Sequence, residues 1–320
     1  MCPLIIAIFV FIFNIFLLIF PQVVLPASRE GLLLWFNNVL PSMLPFMIAT
    51  NMLISLGFAQ TLGNFISPIM KNIFKLPGSG GFALIIGLTS GYPLGAKVVA
   101  DLHRNEQIST DEAQHLLGFC NNAGPLFIVG VVGIGMFESA SVGYLLWASH
   151  ALSAILLGVI LGWVKKAPVV LPKGSVAEVS PAEREHTPIK KEPIGKIMGE
   201  AVKNAMEAMA LVGGLIIFFS VVVALIDAIA FPDDVSLGGL MAGLIEVTGG
   251  LNRLAIMHTT PQTLAIVAFV IAFGGFSIHM QTFHFTTGTG IRPMPYLLSK
   301  IAHGLIAILV IMILSYIVNT

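Results

Sequence analysis

The chain has 320 residues, of which 56% are hydrophobic and only 10% are charged, and its formal net charge is zero. Soluble domains usually carry about 25% charged residues, so this composition excludes an ordinary soluble protein and indicates a polytopic membrane protein. The balanced charge also gives no support for a nucleic-acid partner, since such partners require a basic surface.

The first predicted element is a retained transmembrane span at residues 4–25 rather than a cleaved signal peptide. No basic segment precedes this run, and no small-residue cleavage motif follows it before Pro21. Further apolar runs also approach the ~20 residues that a helix needs to cross a bilayer. The predicted spans are 4–25, 31–56, 112–134, 138–164, 209–231, 261–285 and 294–318.

Two other apolar segments, 78–104 and 236–258, are interrupted by breaks into pieces too short to cross a bilayer. The first break lies in TSGYPLGAK, Thr89–Lys97, and the second is predicted at Gly249-Gly250 in GLIEVTGGLNR. A helix break inside a membrane persists only against protein or a water-filled cavity. Both segments are therefore predicted to be re-entrant helical hairpins.

A polar segment at residues 165–203 divides the chain. It contains eight of the sixteen lysines and arginines and has no periodic apolar face, so it is predicted to be a linker. The positive-inside rule places it in the cytoplasm, together with the N-terminus. The predicted units are an extra N-terminal helix, a first repeat, the linker and a second repeat, at 1–29, 30–164, 165–203 and 204–320.

Each half contains, in order, a span, a hairpin and two more spans. Three crossings per half is an odd number, so the second half is predicted to be inverted relative to the first. GLTSGYPLGAK resembles GLIEVTGGLNR, and GFCNNAGPLFIVG resembles AFGGFSIHMQT. Inverted repeats with broken helices are typical of secondary transporters. The predicted fold class is therefore all-α, a polytopic membrane protein with two inverted repeats, each with a re-entrant helical hairpin and a broken helix.

The breaks indicate a binding site, because helix N-termini carry partial positive charge and spare amide donors. Lys97 and Arg253 lie beyond the two breaks and would together clamp a dianion. The alternative is that Lys97 pairs with Asp101 and Arg253 with Glu246. The sequence leaves both interpretations open.

Polar residues at the breaks either line a substrate cavity or satisfy free backbone groups. The isolated carboxylate of Glu246 is a candidate for carrying a coupling proton, for binding a cation, or for hydrogen-bonding the unwound backbone of the partner repeat. The structural alternative is that it caps the hairpin break. The residues predicted to bind substrate are Ser90, Gly91, Tyr92, Pro93, Lys97, Asn121, Asn122, Thr248, Gly249, Asn252, Arg253, Ser277 and Gln281.

No catalytic motif is present, so the chain is not expected to be an enzyme. The histidines His115, His150 and His303 lack the spacing of metal ligands and are expected to form hydrogen bonds between helices. The two cysteines are too few for a disulfide framework or a thiolate metal site. No bound cofactor is expected.

Four motifs carry a family resemblance: SGYPLGAK, GFCNNAGP, LIEVTGG and FGGFSIHMQ. They resemble the sporulation integral membrane proteins of the YlbJ type, which contain two nucleoside-recognition, or Gate, domains. The resemblance covers roughly residues 30–318. It implies a fold similar to the core of concentrative nucleoside transporters, and transport of dipicolinic acid across the outer forespore membrane from the mother cell. The second hairpin departs from symmetry because no proline matches Pro93.

The predicted function is therefore transport of a small aromatic dicarboxylate anion across a bacterial cell membrane. The alternatives are a nucleoside or nucleobase carrier, which would depend most on Glu246, and a non-transporting scaffold or signalling subunit of a sporulation complex. The sequence leaves open whether a proton or Na+ is the coupling ion, whether Ca2+ accompanies the substrate, and whether the chain forms a homo-oligomer.

Overall fold

The computed structural model describes residues 3–164, 193–230 and 234–319, and this part of the chain is helical throughout. The first half contains α1 (Pro3–Ile19), α2 (Pro21–Leu34), π1 (Trp35–Val39), α3 (Leu40–Ser55), α4 (Phe58–Ile69), π2 (Met70–Phe74), α5 (Gly80–Thr89), α6 (Leu94–Arg104), α7 (Thr110–Cys120), π3 (Leu126–Met136) and α8 (Ala140–Val164). The second half contains α9 (Ile194–Ala230), α10 (Val235–Ile245), α11 (Val247–Ala255), α12 (Pro261–Phe273), α13 (Gly275–Phe285) and α14 (Pro293–Asn319).

The beginning of the first half differs from the prediction. The expected span 4–25 is interrupted, because α1 ends at Ile19 and the chain bends by 103° before α2 begins at Pro21. Proline favours a new helix start at this place, since it lacks the amide hydrogen that would continue the previous helix. The helix that begins there continues through π1 to Ser55, so the predicted span 31–56 starts ten residues too late.

The beginning of the second half also lies earlier than predicted. The long helix α9 starts at Ile194, whereas the sequence placed a linker up to residue 203 and a span at 209–231. Two ion pairs with i,i+4 spacing, Lys196–Glu200 and Lys203–Glu207, lie exposed on its first turns. Such pairs stabilise a polar helix that a search for apolar runs does not detect. Linker residues 165–192 lie outside the described residues.

The two halves share one order of elements. A long helix comes first, followed by a pair of short helices, a broken helix and a final long helix. The short pairs are α5/α6 and α10/α11, and the broken helices are α7/π3 and α12/α13. The α4/π2 segment, Phe58–Phe74, interrupts this order in the first half and has no counterpart among the described residues of the second.

By length and composition, four helices of the described part are able to cross a membrane. They are Ala140–Val164, Ile194–Ala228, Pro261–Phe285 and Pro293–Val318. The bent pair Val10–Ile19 and Pro21–Val39 adds a fifth if it is taken as one span. The fold is therefore that of an all-helical polytopic membrane protein.

The last helices of the two halves are alike in sequence. YLLWASHALSAILL in α8 (Tyr144–Leu157) resembles YLLSKIAHGLIAILV in α14 (Tyr296–Val310), with one residue inserted before the histidine. These matched histidines, His150 and His303, touch in the structure, with their ring centroids 4.7 Å apart. The equivalent helices of the two halves therefore pack together in the centre of the molecule.

Candidate functional site

A small, partly open cavity lies where the breaks of both halves meet. Its volume is about 70 Å3, enough for several water molecules. Its wall includes residues from the breaks of α5/α6 and α10/α11 and from both broken helices. The lining residues are Leu34, Asn38, Val39, Met43, Phe46, Thr89, Ser90, Tyr92, Gly124, Leu126, Phe127, Val131, Val212, Ile216, Glu246, Val247, Thr248, Ile278 and Gln281.

The first-half break is held by close backbone contact with the break of α7/π3. Gly91 has a φ of +85°, and a Cβ atom placed on it would lie 2.5 Å from the Gly124 nitrogen. Glycine at position 91 therefore satisfies both a left-handed backbone and a very close approach. This contact places Ser90 and Tyr92 on the cavity wall beside Gly124.

The second-half break is a single residue, Glu246, rather than the predicted Gly249-Gly250 pair, which lies inside α11. The Glu246 backbone is extended, and its Oε2 accepts a hydrogen bond of 2.7 Å from the Gly249 amide. A carboxylate at this place stabilises the start of a helix through both the hydrogen bond and the helix dipole. The capping interpretation of Glu246 is therefore confirmed, and its side chain is buried beside the cavity.

The two halves meet at Tyr92. The Tyr92 ring approaches the α12/α13 break, since a Cβ atom placed on Gly274 would lie 3.8 Å from Tyr92 Cε1. Three buried polar atoms on the wall have no hydrogen-bond partner among the described residues: Ser90 Oγ, Tyr92 Oη and Gln281 Oε1. Unsatisfied buried polar atoms around a cavity are typical of a ligand site, because a bound ligand or water completes their hydrogen bonds.

A larger vestibule adjoins this cavity and shares Glu246 and Thr248 with it. Its volume is about 1080 Å3, and it lies between α2, the C-terminal half of α9, π3 and α11. Among its described lining residues are three carboxylates, from Glu30, Asp227 and Glu246, and one guanidinium, from Arg253. The formal charge of the lining is therefore negative.

The structure brings part of the predicted set together. Ser90, Tyr92, Glu246, Thr248 and Gln281 line the inner cavity. Another group lines the vestibule: Gly249, Asn252 and Arg253. The remaining predicted residues do not line either space: Gly91, Pro93, Lys97, Asn121, Asn122 and Ser277. Gly91 and Pro93 form the first break itself, behind the cavity wall.

Lys97 lies in a polar cluster away from the cavity. Its Nζ is 2.9 Å from Asp101 Oδ2 and 3.0 Å from Asn51 Oδ1. The same Asp101 carboxylate also pairs with Arg104. The alternative interpretation of Lys97, an ion pair with Asp101, is therefore the one that the structure shows.

Arg253 pairs with Asp227 of α9 rather than with the predicted partner, Glu246. Near the start of α9, Asn51 accepts a hydrogen bond from Lys97 and donates one to the Ala201 carbonyl, so it links Lys97 to that end of α9. Ala201 and Asp227 are about 39 Å apart along α9 at 1.5 Å per residue. Lys97 and Arg253 therefore lie toward opposite ends of the molecule, and the structure does not form the predicted clamp.

The asparagines of the α7/π3 break lie in a buried polar network instead of on the cavity wall. Asn121 Nδ2 donates to Thr282 Oγ1 at 2.8 Å and to Tyr296 Oη at 3.0 Å. Asn122 Nδ2 donates to the Phe119 carbonyl at 2.7 Å, so it satisfies a carbonyl at the end of α7. Ser277 is fully buried on α13, near Gln281. The Asn121 amide therefore connects the two broken helices behind the site.

The predicted hydrogen bonds of the histidines between helices are confirmed. His115 Nε2 lies 3.3 Å from the Gly158 carbonyl, His150 Nε2 accepts from the Ala123 amide at 3.0 Å, and His303 Nε2 lies 3.2 Å from the His150 carbonyl. Sequence reasoning missed their neighbour Lys300, which is fully buried on α14. The sequence does contain a signal for Lys300, because a lysine within the apolar run 294–318 is unusual and marks a candidate functional residue.

Comparison with known proteins is consistent with this architecture. The Gate family model, described as nucleoside recognition, matches residues 36–119. The Sporulation integral membrane protein YlbJ of Bacillus subtilis (strain 168) is 34% identical over 318 residues, covering 92% of this chain and 78% of that protein. No solved structure is detectably similar. The chain belongs to the YlbJ family of sporulation integral membrane proteins.

Proposed function

We propose that the protein is an alternating-access carrier for dipicolinic acid, a small aromatic dicarboxylate, across the outer forespore membrane from mother cell to forespore. The observation that carries a transport function is the cavity at the meeting point of four helix breaks. Its unpartnered atoms, Ser90 Oγ, Tyr92 Oη and Gln281 Oε1, are available to bind a planar polar cargo. The Tyr92 ring would stack on the aromatic plane of the substrate.

The arrangement of the two hairpins supports inverted repeats. α6 approaches the beginning of α9 through the Lys97–Asn51 contact, whereas α11 approaches its end through Arg253 and Asp227. Arg104 at the end of α6 also donates to the Phe285 carbonyl at the end of α13, at 2.7 Å. The two helix pairs are therefore linked to opposite ends of α9, which supports re-entrant hairpins of an inverted transporter.

The charge of the vestibule supports entry of the cargo as its calcium chelate. Glu30, Asp227 and Glu246 outnumber the one guanidinium of Arg253, and like charges in a cleft of low dielectric repel a free dianion. A one-to-one chelate of calcium with dipicolinate is neutral and avoids this repulsion. The described residues contain no cluster of three or more acidic, histidine or cysteine side chains able to hold the metal, so the cargo would carry it.

A nucleoside or nucleobase carrier is the second candidate, and one observation favours it. The cavity wall offers a carboxylate, an amide and hydroxyl groups, and Lys97 is absent from it. Such groups suit the hydroxyls of a ribose and the edges of a base.

Ligand-dependent thermal stabilisation of the purified protein tests the proposal, since a ligand that binds only the folded state raises the melting temperature. We expect a shift with dipicolinate and calcium together, a smaller one with dipicolinate alone, and none with uridine. Uptake of the same compounds into proteoliposomes then separates transport from binding. A shift with uridine alone would favour the second candidate, and the absence of binding and uptake for all compounds would favour a scaffold.

A further inference from the structure

The proposed cargo site makes no use of Lys300, a buried lysine of α14. Its side chain is 1% exposed, and none of the ion pairs formed by the described residues includes it. Its Nζ donates to the Asn121 carbonyl at 2.9 Å and lies 3.2 Å from His303 Nδ1. A basic group in a membrane core without a carboxylate partner is costly and usually has a function.

The carbonyl end of α7 stabilises the positive charge of this amine. Asn121 follows the last residue of α7, and a helix C-terminus carries partial negative charge. The stabilisation requires that the Asn121 carbonyl stays directed at Nζ. The charge of Lys300 therefore depends on the position of the α7/π3 break.

The same break is bound to the histidine pair and to the cavity. His150 Nε2 accepts from the Ala123 amide at 3.0 Å, and His303 Nε2 contacts the His150 carbonyl at 3.2 Å. One residue further along, Gly124 lines the cavity and touches Gly91. The Asn121 carbonyl lies three residues before Gly124. A cargo molecule that moves Gly124 would therefore also change the contact between this carbonyl and the Lys300 amine.

Among the described residues, the titratable groups around the amine are one thiol, one phenol and three imidazoles, and none of them is a carboxylate. They come from α7, α8, α13 and from α14 itself, and α12, which also packs on α14, contributes none. These groups are Cys120, His150, His279, Tyr296 and His303. The imidazoles of His150 and His303 each already use a ring nitrogen as a hydrogen-bond acceptor, from the Ala123 amide and from Lys300 Nζ respectively, so a change of charge in this part of the core is assigned to Lys300.

We propose that Lys300 is the binding site of the coupling proton, an inference that rests on the proposed carrier function. The amine nitrogen binds a proton from water while the Asn121 carbonyl faces it, and it returns the proton to water when the break moves during transport. Cargo in contact with Gly124 and Gln281 stabilises the protonated arrangement. Cargo binding therefore takes up a proton.

The test measures the protons taken up when calcium and dipicolinate bind to the purified full chain in weakly buffered solution. We expect roughly one proton per bound cargo molecule in neutral to mildly alkaline solution, by linkage between proton and cargo binding. Lys300→Met should take up none. Lys300→Arg, which keeps a cation beside Asn121 at every pH, should also take up none and should still bind cargo.

Lys97→Met is the matched control, because the Lys97 amine is paired with Asp101 and lies outside the cavity. This variant should retain proton uptake. Cargo binding without proton uptake in the unaltered protein, or uptake retained in Lys300→Arg, would overturn the inference and leave the carrier function standing. Coupling to Na+ in place of protons would overturn it as well. Failure of cargo to bind at all would contradict the proposed function, and the inference with it.

Discussion

The break between α5 and α6 and the break between α10 and α11 are built by different means. The first spans Ser90–Pro93 and is held by backbone packing of Gly91 on Gly124. The second is one residue long and is closed by the Glu246 carboxylate on the Gly249 amide. The first break therefore depends on the absence of a side chain, and the second depends on the presence of a charge. The two halves, which share one order of elements, therefore use different chemistry at corresponding breaks.

The largest expected effect is that of Gly91→Ala. The added Cβ would occupy space taken by Gly124 and would strain a left-handed backbone, so we expect a loss of about 3 kcal/mol or more in the free energy of unfolding. Thermal denaturation in detergent would measure this as a large fall in melting temperature.

Two glycines serve as matched controls for this variant. Gly288 has a φ of +78° with open space around it, and Gly214 lies in α9 with open space as well. Gly288→Ala should lose about 1 kcal/mol from backbone strain alone, and Gly214→Ala should lose nothing. Equal losses in Gly91→Ala and Gly288→Ala would show that the contact with Gly124 is unimportant.

Glu246→Ala tests the second break. Removing the cap should lower the free energy of unfolding by about 1–2 kcal/mol and abolish cargo binding. Glu246→Gln keeps an acceptor oxygen for the Gly249 amide, so it should restore most of the stability while binding stays impaired.

Asp234 is the control for capping alone, because it caps α10 at an exposed place by accepting from the Leu237 amide at 2.8 Å. Asp234→Ala should lose about 1 kcal/mol with unchanged cargo binding. Normal binding by Glu246→Ala would show that its carboxylate serves the fold only.

Replacing Lys97 and replacing Arg253 should have unequal effects on uptake. Lys97→Met removes a largely buried ion pair and should lower the free energy of unfolding by about 1 kcal/mol with normal uptake. Arg253→Gln removes the one guanidinium of the vestibule and should reduce uptake several-fold. Equal loss of uptake in both variants, with normal protein levels, would restore the predicted clamp.

The smallest expected change in stability is that of Tyr92→Phe. The hydroxyl has no partner among the described residues, so its removal should alter the free energy of unfolding by less than about 0.5 kcal/mol. Cargo affinity should nevertheless fall several-fold if the hydroxyl binds the ligand. Titration by calorimetry would detect this fall, and an unchanged affinity would place the ligand away from Tyr92.

Much of the fold follows from the apolar runs and their interruptions. The breaks at Ser90–Pro93, Asn121–Pro125 and Gly274-Gly275 were predictable because proline and paired glycines disfavour a continuous helix. The break at Glu246 was predicted three residues too late, at Gly249, because a glycine pair is a stronger sequence signal for a helix break than a single acidic residue. The sequence analysis missed α4 and the first turns of α9, because it searched for long apolar runs and these segments contain too many polar residues.

The site was less predictable than the fold. Residues at the breaks were identified correctly where the break itself forms the wall, as at Tyr92 and Glu246. The sequence could not decide between the two roles of Lys97, an ion pair with Asp101 or contact with a cargo molecule. Asp101 lies four residues after Lys97 in either case. Lys300 was missed because its partners, the Asn121 carbonyl and His303, come together only when α7 and α14 pack.

The long helix α9 has a mechanical consequence. At 1.5 Å per residue its 37 residues extend about 55 Å, whereas the hydrocarbon layer of a bilayer is about 30 Å thick. A rod of this length projects well beyond the layer, and its first turns carry the exposed Lys196–Glu200 and Lys203–Glu207 pairs. One end of α9 carries these exposed ion pairs, and the other end carries Asp227 and part of the vestibule wall. A displacement of its outer end would therefore reach the wall of the vestibule.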